Sequence, residues 1–208
     1  METTLIDKSI NTTDTLKTIY ERRAIRKYKA KPVDRKLIEQ VLDAGRMAPS
    51  AINKQPWKFY VVTNKETIHL MSKEIKKAAA KDFLKSGLKQ IIKMAAGLFH
   101  LASGIDFSKM ADPVFYGAPV VIFITAPRDN EWAALDIGMC SQNMMLAAKS
   151  LGLESCPIGF GKYLEHTKSY SLLPVKASEQ LHLSIILGYG NEIPEVHKRI
   201  KNNVIFID

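Results

Sequence analysis

An α+β fold is the architecture this sequence predicts, and three observations carry the prediction. Helical and extended patterns follow one another irregularly, without the repeating strand–helix–strand unit of a doubly wound parallel sheet. One run, "APVVIFITAP", is continuously apolar and β-branched between prolines, as a strand buried on both faces must be. One long helical pattern, "NEWAALDIGMCSQNMMLAAKSLGL", has apolar and small residues nearly all round and so calls for burial on more than one side. The 208 residues hold no Gly/Ser/Pro-rich linker and no internal repeat, so one domain over 1–208 is expected.

The first helix should open at Thr13 or Asp14, either of which can cap it, with Leu16, Ile19 and Tyr20 on its apolar face. It gives way to the basic, extended "ERRAIRKYKAKPV". A second helix follows, with Asp34 as N-cap and Leu37, Ile38, Val41, Leu42 and Gly45 on one face; Pro49 ends it. "WKFYVV" is a first strand. "NKETIHLMSKEIKKAAAKDFL" and "SGLKQIIKMAAGLFHLAS" are helical patterns broken near Ser86 and Gly87. The central strand comes next, then the long helix, with Asn130 as its cap and Gly152 closing it. "CPIGF" reads as a turn, followed by a short helix over 162–172. "EQLHLSIILGYG" is the last strand, and the tail is polar and basic. On the long helix, Ala133, Ala134, Gly138, Ser141, Ala147 and Ala148 let a neighbouring backbone approach, either within the core or across a dimer interface.

Composition narrows the function classes. No apolar run reaches the ~20 residues that span a bilayer, and the N-terminus has no signal-peptide pattern, so a cytoplasmic location with no membrane partner is expected. Cys140 and Cys156 lack metal-site or redox spacing and read as reduced thiols. The five histidines form no ligand pair, and no metal is expected. The net charge of +9 suits anionic partners in general. No nucleic-acid-reading motif is present, and the aromatics are not interleaved with a basic patch, so nucleic acid is not expected.

Four stretches can carry chemistry. In "ERRAIR", Arg22, Arg23 and Arg26 offer bidentate forks for phosphate; the same run also suits a solvated helix end. In "PSAINKQPW", Ser50, Asn53 and Gln55 offer donors and acceptors in a loop stiffened by Pro49 and Pro56. They could equally satisfy the loop's own backbone. In "CPIGF", Gly159 lets a backbone N–H approach a flat ligand, or simply makes a turn. "EVHKRIKNN" places Lys198 and Arg199 beyond the last strand.

Together, in order and spacing, these stretches resemble the FMN-dependent nitroreductase family (NAD(P)H:FMN oxidoreductase-like) from about Thr15 to Lys201. The resemblance implies a three-layer fold with a central, mostly antiparallel sheet flanked by helices. It also implies a homodimer with FMN at the interface and a C-terminal extension, about 191–208, that wraps the partner; about 1–13 would be an N-terminal arm. Arg22, Arg23 and Arg199 would hold the FMN phosphate, Lys198 would be a further cofactor contact, and Arg26 would lie near the pyrimidine end of the flavin. Pro49, Ser50, Ala51, Asn53 and Gln55 would approach the flavin from the other subunit. Pro157, Ile158 and Gly159 would line it, the Gly159 N–H near N5. Gln142 and Asn143 are further contacts the resemblance implies. Ala24 and Ala51 stand where the family commonly has serine, which removes two hydroxyls. The implied activity is ping-pong hydride transfer from NADH or NADPH through FMN to an oxidised acceptor such as a nitroaromatic or quinone. The alternative is an FMN-binding or flavin-modifying protein without that turnover. Lys73, Lys77, Lys81, Lys85, Lys89 and Lys93 recur every four residues and form either a solvated face or a steering stripe for anionic donors.

Overall fold

A computed structural model describes residues 13–85, 112–200 and 202–207. Among the described residues four strands form one sheet in the order β1-β2-β4-β3, every pair antiparallel. They are β1 (Lys58–Val62), β2 (Val120–Pro127), β3 (Glu154–Ile158) and β4 (Glu179–Gly188). The α-helices among the described residues are α1 (Asp14–Glu21), α2 (Arg35–Arg46), α3 (Lys65–Lys85) and α4 (Ala133–Ser150).

The apolar run of β2 explains the layering. Strand side chains alternate between faces. Val120, Ile122 and Ile124 pack with α2 and α4 through Ile38, Val41, Leu42, Ile137 and Met144. Val121 and Phe123 pack on the other face with Met71 and Ile75 of α3, Phe115 and Leu164. Helices thus flank both faces, and β2 lies between β1 and β4 as a central strand must. Gly45 lets α2 close on α4: a Cβ there would lie 2.7 Å from Met144 Cγ and 3.2 Å from Cys140 Sγ.

The caps largely follow the sequence. Thr13 Oγ1 accepts from the Leu16 amide, and Asp34 Oδ1 from that of Lys36. Gly152 (φ +75°) ends α4 in a Schellman turn, its N–H bonding Lys149 O while the Leu153 N–H bonds Ala148 O. Asn130 does not cap α4 directly. Its side chain bonds the Trp132 amide in a preceding turn, and the helix starts at Ala133.

Other expectations differ. "CPIGF" is not a turn: Glu154–Ile158 is a strand at the sheet edge, where the missing N–H of the exposed Pro157 breaks no essential ladder. The helix expected over 162–172 is two 3₁₀ segments, Gly159–His166 and Lys168–Leu172. They part at Thr167, whose hydroxyl bonds Leu164 O. No residue of α1 is fully buried among the described residues: Leu16 is half-buried, and Ile19 and Tyr20 are exposed. Only one side of α4 is covered among the described residues; Ala134, Leu135 and Gly138 are exposed on the other. The helical pattern after Ser86, the break there, Lys89 and Lys93 lie outside the described residues; Lys73, Lys77 and Lys81 are exposed on α3.

Glu179 ties three strands together. Its carboxylate accepts from Thr125 Oγ1 (2.9 Å) and Tyr60 Oη (3.1 Å) and pairs with Lys58. Burial alone pushes this carboxyl up, but the Thr125 and Tyr60 hydrogen bonds and the Lys58 ammonium outweigh it and hold the pKa below the ordinary 4.5. A depressed folded pKa contributes stability above the unfolded value and loses it as pH falls through the folded one. Thermal unfolding against pH should therefore show an acid drop below 4.5. That drop should be shallower in Glu179→Gln; identical acid limbs would contradict the linkage.

Candidate functional site

The arginine stretch is positioned by the end of α1 and by β3. After Arg22, the C-cap of α1, the chain turns extended. Ala24 forms a parallel bridge with Ser155, and the Ile25 amide bonds Ser155 O at 3.1 Å. The segment thus acts as a short extra strand along the free side of β3. Glu192, from the chain beyond β4, takes the Arg26 amide, and Tyr28 bridges to Gly190.

The guanidinium groups differ in their commitments. Arg23 donates to Arg22 O at 2.8 Å and to Tyr20 O, so it caps α1. Arg22 is half-buried, and its Nε is buried with no hydrogen-bond partner. A buried cationic donor left unpaired is costly, and none of the described residues supplies a partner for this one. Arg26 lies 6.0 Å from the ring centroid of Tyr116. Burial pushes the Cys156 thiol up, and the nearby Arg26 and Arg22 only partly oppose this. Cys156 is therefore a protonated core thiol, and Cys140, pushed by burial to about 12, is another. Neither has the depressed pKa a cysteine nucleophile needs.

Gly159 begins the 3₁₀ segment at the end of β3. A Cβ there would meet nothing within 4 Å, and the backbone shows no left-handed φ. Among the described residues nothing requires glycine at this exposed position. Pro157 is exposed beside it, and Ile158 is buried.

Tyr116 was not legible as a site residue. It sits in "DPVFYGAPV" with φ +56°, and Gly117 follows at +70°. Asp112 folds this turn by accepting from the amides of Val114 (3.2 Å), Phe115 (2.9 Å) and Gly117 (3.1 Å) and from Ser72. A left-handed tyrosine is uncommon, and here the turn presents the ring to Arg26.

The 49–56 loop is a second constellation. The Gln55 amide bonds Ser50 Oγ (2.9 Å), the Asn53 amide bonds Ser50 O (2.9 Å), and Gln55 Nε2 bonds Asn53 Oδ1 (3.0 Å). Its polar side chains thus partly satisfy the loop itself. The exposed Asn53 and Gln55 keep an amide nitrogen and an amide oxygen respectively for other partners. Ile52, Asn53 and Gln55 all have left-handed φ (46°, 56° and 45°). The Ala51 amide bonds Asp136 of α4 at 3.1 Å.

The structure does not bring these parts together in one chain. The loop enters β1 at one edge of the sheet, and the arginines line β3 at the other. Three strand spacings of ~4.8 Å separate those edges by roughly 14 Å. Asn143 ties α4 to α2 by donating to Ala44 O, and Gln142 beside it is half-buried. Lys198 and Arg199 are exposed on an extended tail, Arg199 bonding only His197 O of the same tail among the described residues. Ile200, Ile205 and Phe206 there are also exposed.

Among the described residues no His, Cys, Asp and Glu group is placed to hold a metal ion, and no helix is long and apolar enough to cross a membrane.

Known proteins resemble this chain in sequence and in fold. Residues 19–189 match the model of the nitroreductase family. The chain is 30% identical over 199 residues to a 4-nitrobenzoate reductase of Pseudomonas putida, covering 84% of each chain. It is also 30% identical to a nitrobenzene nitroreductase of Ectopseudomonas oleovorans, covering 85% of this chain and 87% of that one. Among solved structures, a nitroreductase with bound FMN from Bacteroides fragilis superposes with a TM-score of 0.73 at 27% identity, covering 94% of this chain and 99% of that one. With the family model spanning most of the chain, from α1 to the end of β4, the protein belongs to the nitroreductase family.

Proposed function

We propose that this chain is an FMN-dependent oxidoreductase that takes hydride from NADH or NADPH and passes it to an oxidised acceptor, a nitroaromatic or a quinone, in a ping-pong cycle. It would work as a homodimer of single-domain chains in the cytoplasm, with two FMN sites at the interface. The observation that carries the reading is the separation of the two constellations: arginines, one with an orphaned buried donor, line one sheet edge, and a polar loop with left-handed backbone enters the other. One flat anionic ligand between two copies would use both.

The residues present fit FMN. The orphaned Arg22 Nε suits its phosphate, and the open face of Gly159 suits a flat ring. FMN, when bound, supplies the hydride chemistry; the protein supplies orientation and charge. Arg22 would hold the phosphate together with Lys198 and Arg199 from the second copy's tail. Arg26, steadied by Tyr116, would place a cation where negative charge develops on reduction. Gly159 would offer its backbone N–H to the ring. The second copy's 49–56 loop would offer the free amide groups of Asn53 and Gln55. Exposed Ile19, Leu135, Ile205 and Phe206 give that copy apolar surface to bury.

The deciding experiment is anaerobic titration of the FMN-loaded protein with NADH or NADPH, then reoxidation by 4-nitrobenzoate and by a quinone. Bleaching and recovery of the flavin band are expected. An FMN band that neither nicotinamide bleaches would replace this reading with that of an FMN-binding protein without turnover.

A further inference from the structure

Asp136 is a buried carboxylate with an unfinished set of partners. It lies in the first turn of α4 and is 1% exposed. One oxygen accepts the Ala51 amide at 3.1 Å; the other is buried with no hydrogen-bond partner. No cation pairs with it among the described residues. Core packing alone would be served better by an apolar side chain, because an incompletely paired buried charge costs stability. The N-terminal end of α4 offsets part of that cost. The Ala51 bond joins α4 to a segment in which three non-glycine residues hold left-handed backbone, among them β-branched Ile52 at 87% exposure. Ile52 gains no burial from that conformation, so something else must hold it, and a charge-assisted bond is about twice as strong as a neutral one.

We propose that Asp136 is the positioning residue of the 49–56 loop: its carboxylate clamps the Ala51 amide to α4 and holds Ile52, Asn53 and Gln55 in the conformation that meets the flavin. This rests on the FMN reading only for its consequence; the clamp itself belongs to the ligand-free chain.

Two variants break the same bond from opposite sides. Asp136→Leu removes the acceptor while filling its volume. Ala51→Pro removes the donor at the first residue of a 3₁₀ turn, where proline is tolerated, and Ser50 before it is already extended (φ −143°, ψ 155°). In the ligand-free protein each should accelerate hydrogen exchange of the peptide covering 48–56, whereas Asp136→Asn, which keeps an acceptor, should preserve most of its protection. FMN affinity should fall about tenfold or more in Asp136→Leu, as expected for losing a hydrogen bond to a charged group. The melting temperature of Asp136→Leu should not fall. The double variant should be no worse for FMN binding than the weaker single one, since both act on one bond. Wild-type exchange and affinity in Asp136→Leu would overturn the proposal. So would a melting temperature that drops in step with affinity, the mark of a purely structural residue. Wild-type protein that binds no FMN would overturn the functional reading, while the exchange experiment would still decide the clamp.

Discussion

Replacing Arg22 by alanine is expected to weaken FMN binding by about 10- to 150-fold, the equivalent of losing charge-assisted bonds together worth ~1.5–3 kcal/mol. The expectation rests on one atom. Arg22 Nε is buried and unpaired, so its desolvation cost is already borne in the ligand-free chain and an incoming phosphate gains the full interaction. Arg23 shares the motif but spends its guanidinium on the carbonyls of Tyr20 and Arg22, so Arg23→Ala should cost mainly α1 stability. Arg199→Ala should weaken FMN binding in the same direction as Arg22→Ala. Fluorescence titration of the three variants checks the ordering. Equal losses for Arg22→Ala and Arg23→Ala, or none for Arg22→Ala, would remove Arg22 from the phosphate site.

Gly159→Val is expected to slow flavin reduction by NADH or NADPH about 100-fold, the scale of a 1 Å misplacement of reacting groups. It should leave unfolding within about 0.5 kcal/mol of wild type, as for a surface substitution. The contrast between the two readouts is the point. The space over Gly159 is open and its backbone conformation ordinary, so the fold does not need glycine there. A ligand lying flat against that backbone does. Stopped-flow reduction beside thermal unfolding separates the cases. A variant that reduces normally would place the ring elsewhere, and one that unfolds readily would make Gly159 a structural residue.

What was legible in the sequence was whatever periodicity or local chemistry decides. β2 was read from an apolar run that only a doubly covered strand needs, and α2 from its Leu37, Ile38, Val41, Leu42 and Gly45 face with Asp34 as cap. β3 was lost because Pro157 and Gly159 signal a turn, whereas at a sheet edge the proline gives up no required bond. The 3₁₀ segments pass for a helix because residues three apart, such as Phe160 and Tyr163, share a face in both helix types. The arginines and the 49–56 loop stand out by residue type, but only the family resemblance gives them a ligand. Their placement at opposite edges was not legible, because strand order is a long-range property. Tyr116 and Asp136 carry no signal in the sequence for a related reason. One matters through a backbone angle and a ring contact, the other through a bond to Ala51, 85 positions away.

The division of the proposed site between two sheet edges has a consequence for how the cofactor is retained. A ligand gripped by both copies binds the dimer and scarcely binds the single chain, so cofactor occupancy and subunit association obey one mass-action law. Free FMN would tighten the dimer, and dilution would shed the cofactor. In a cell, newly made chains would become competent only as fast as they meet, which makes expression level, beside intrinsic affinity, a determinant of how much of the protein is yellow.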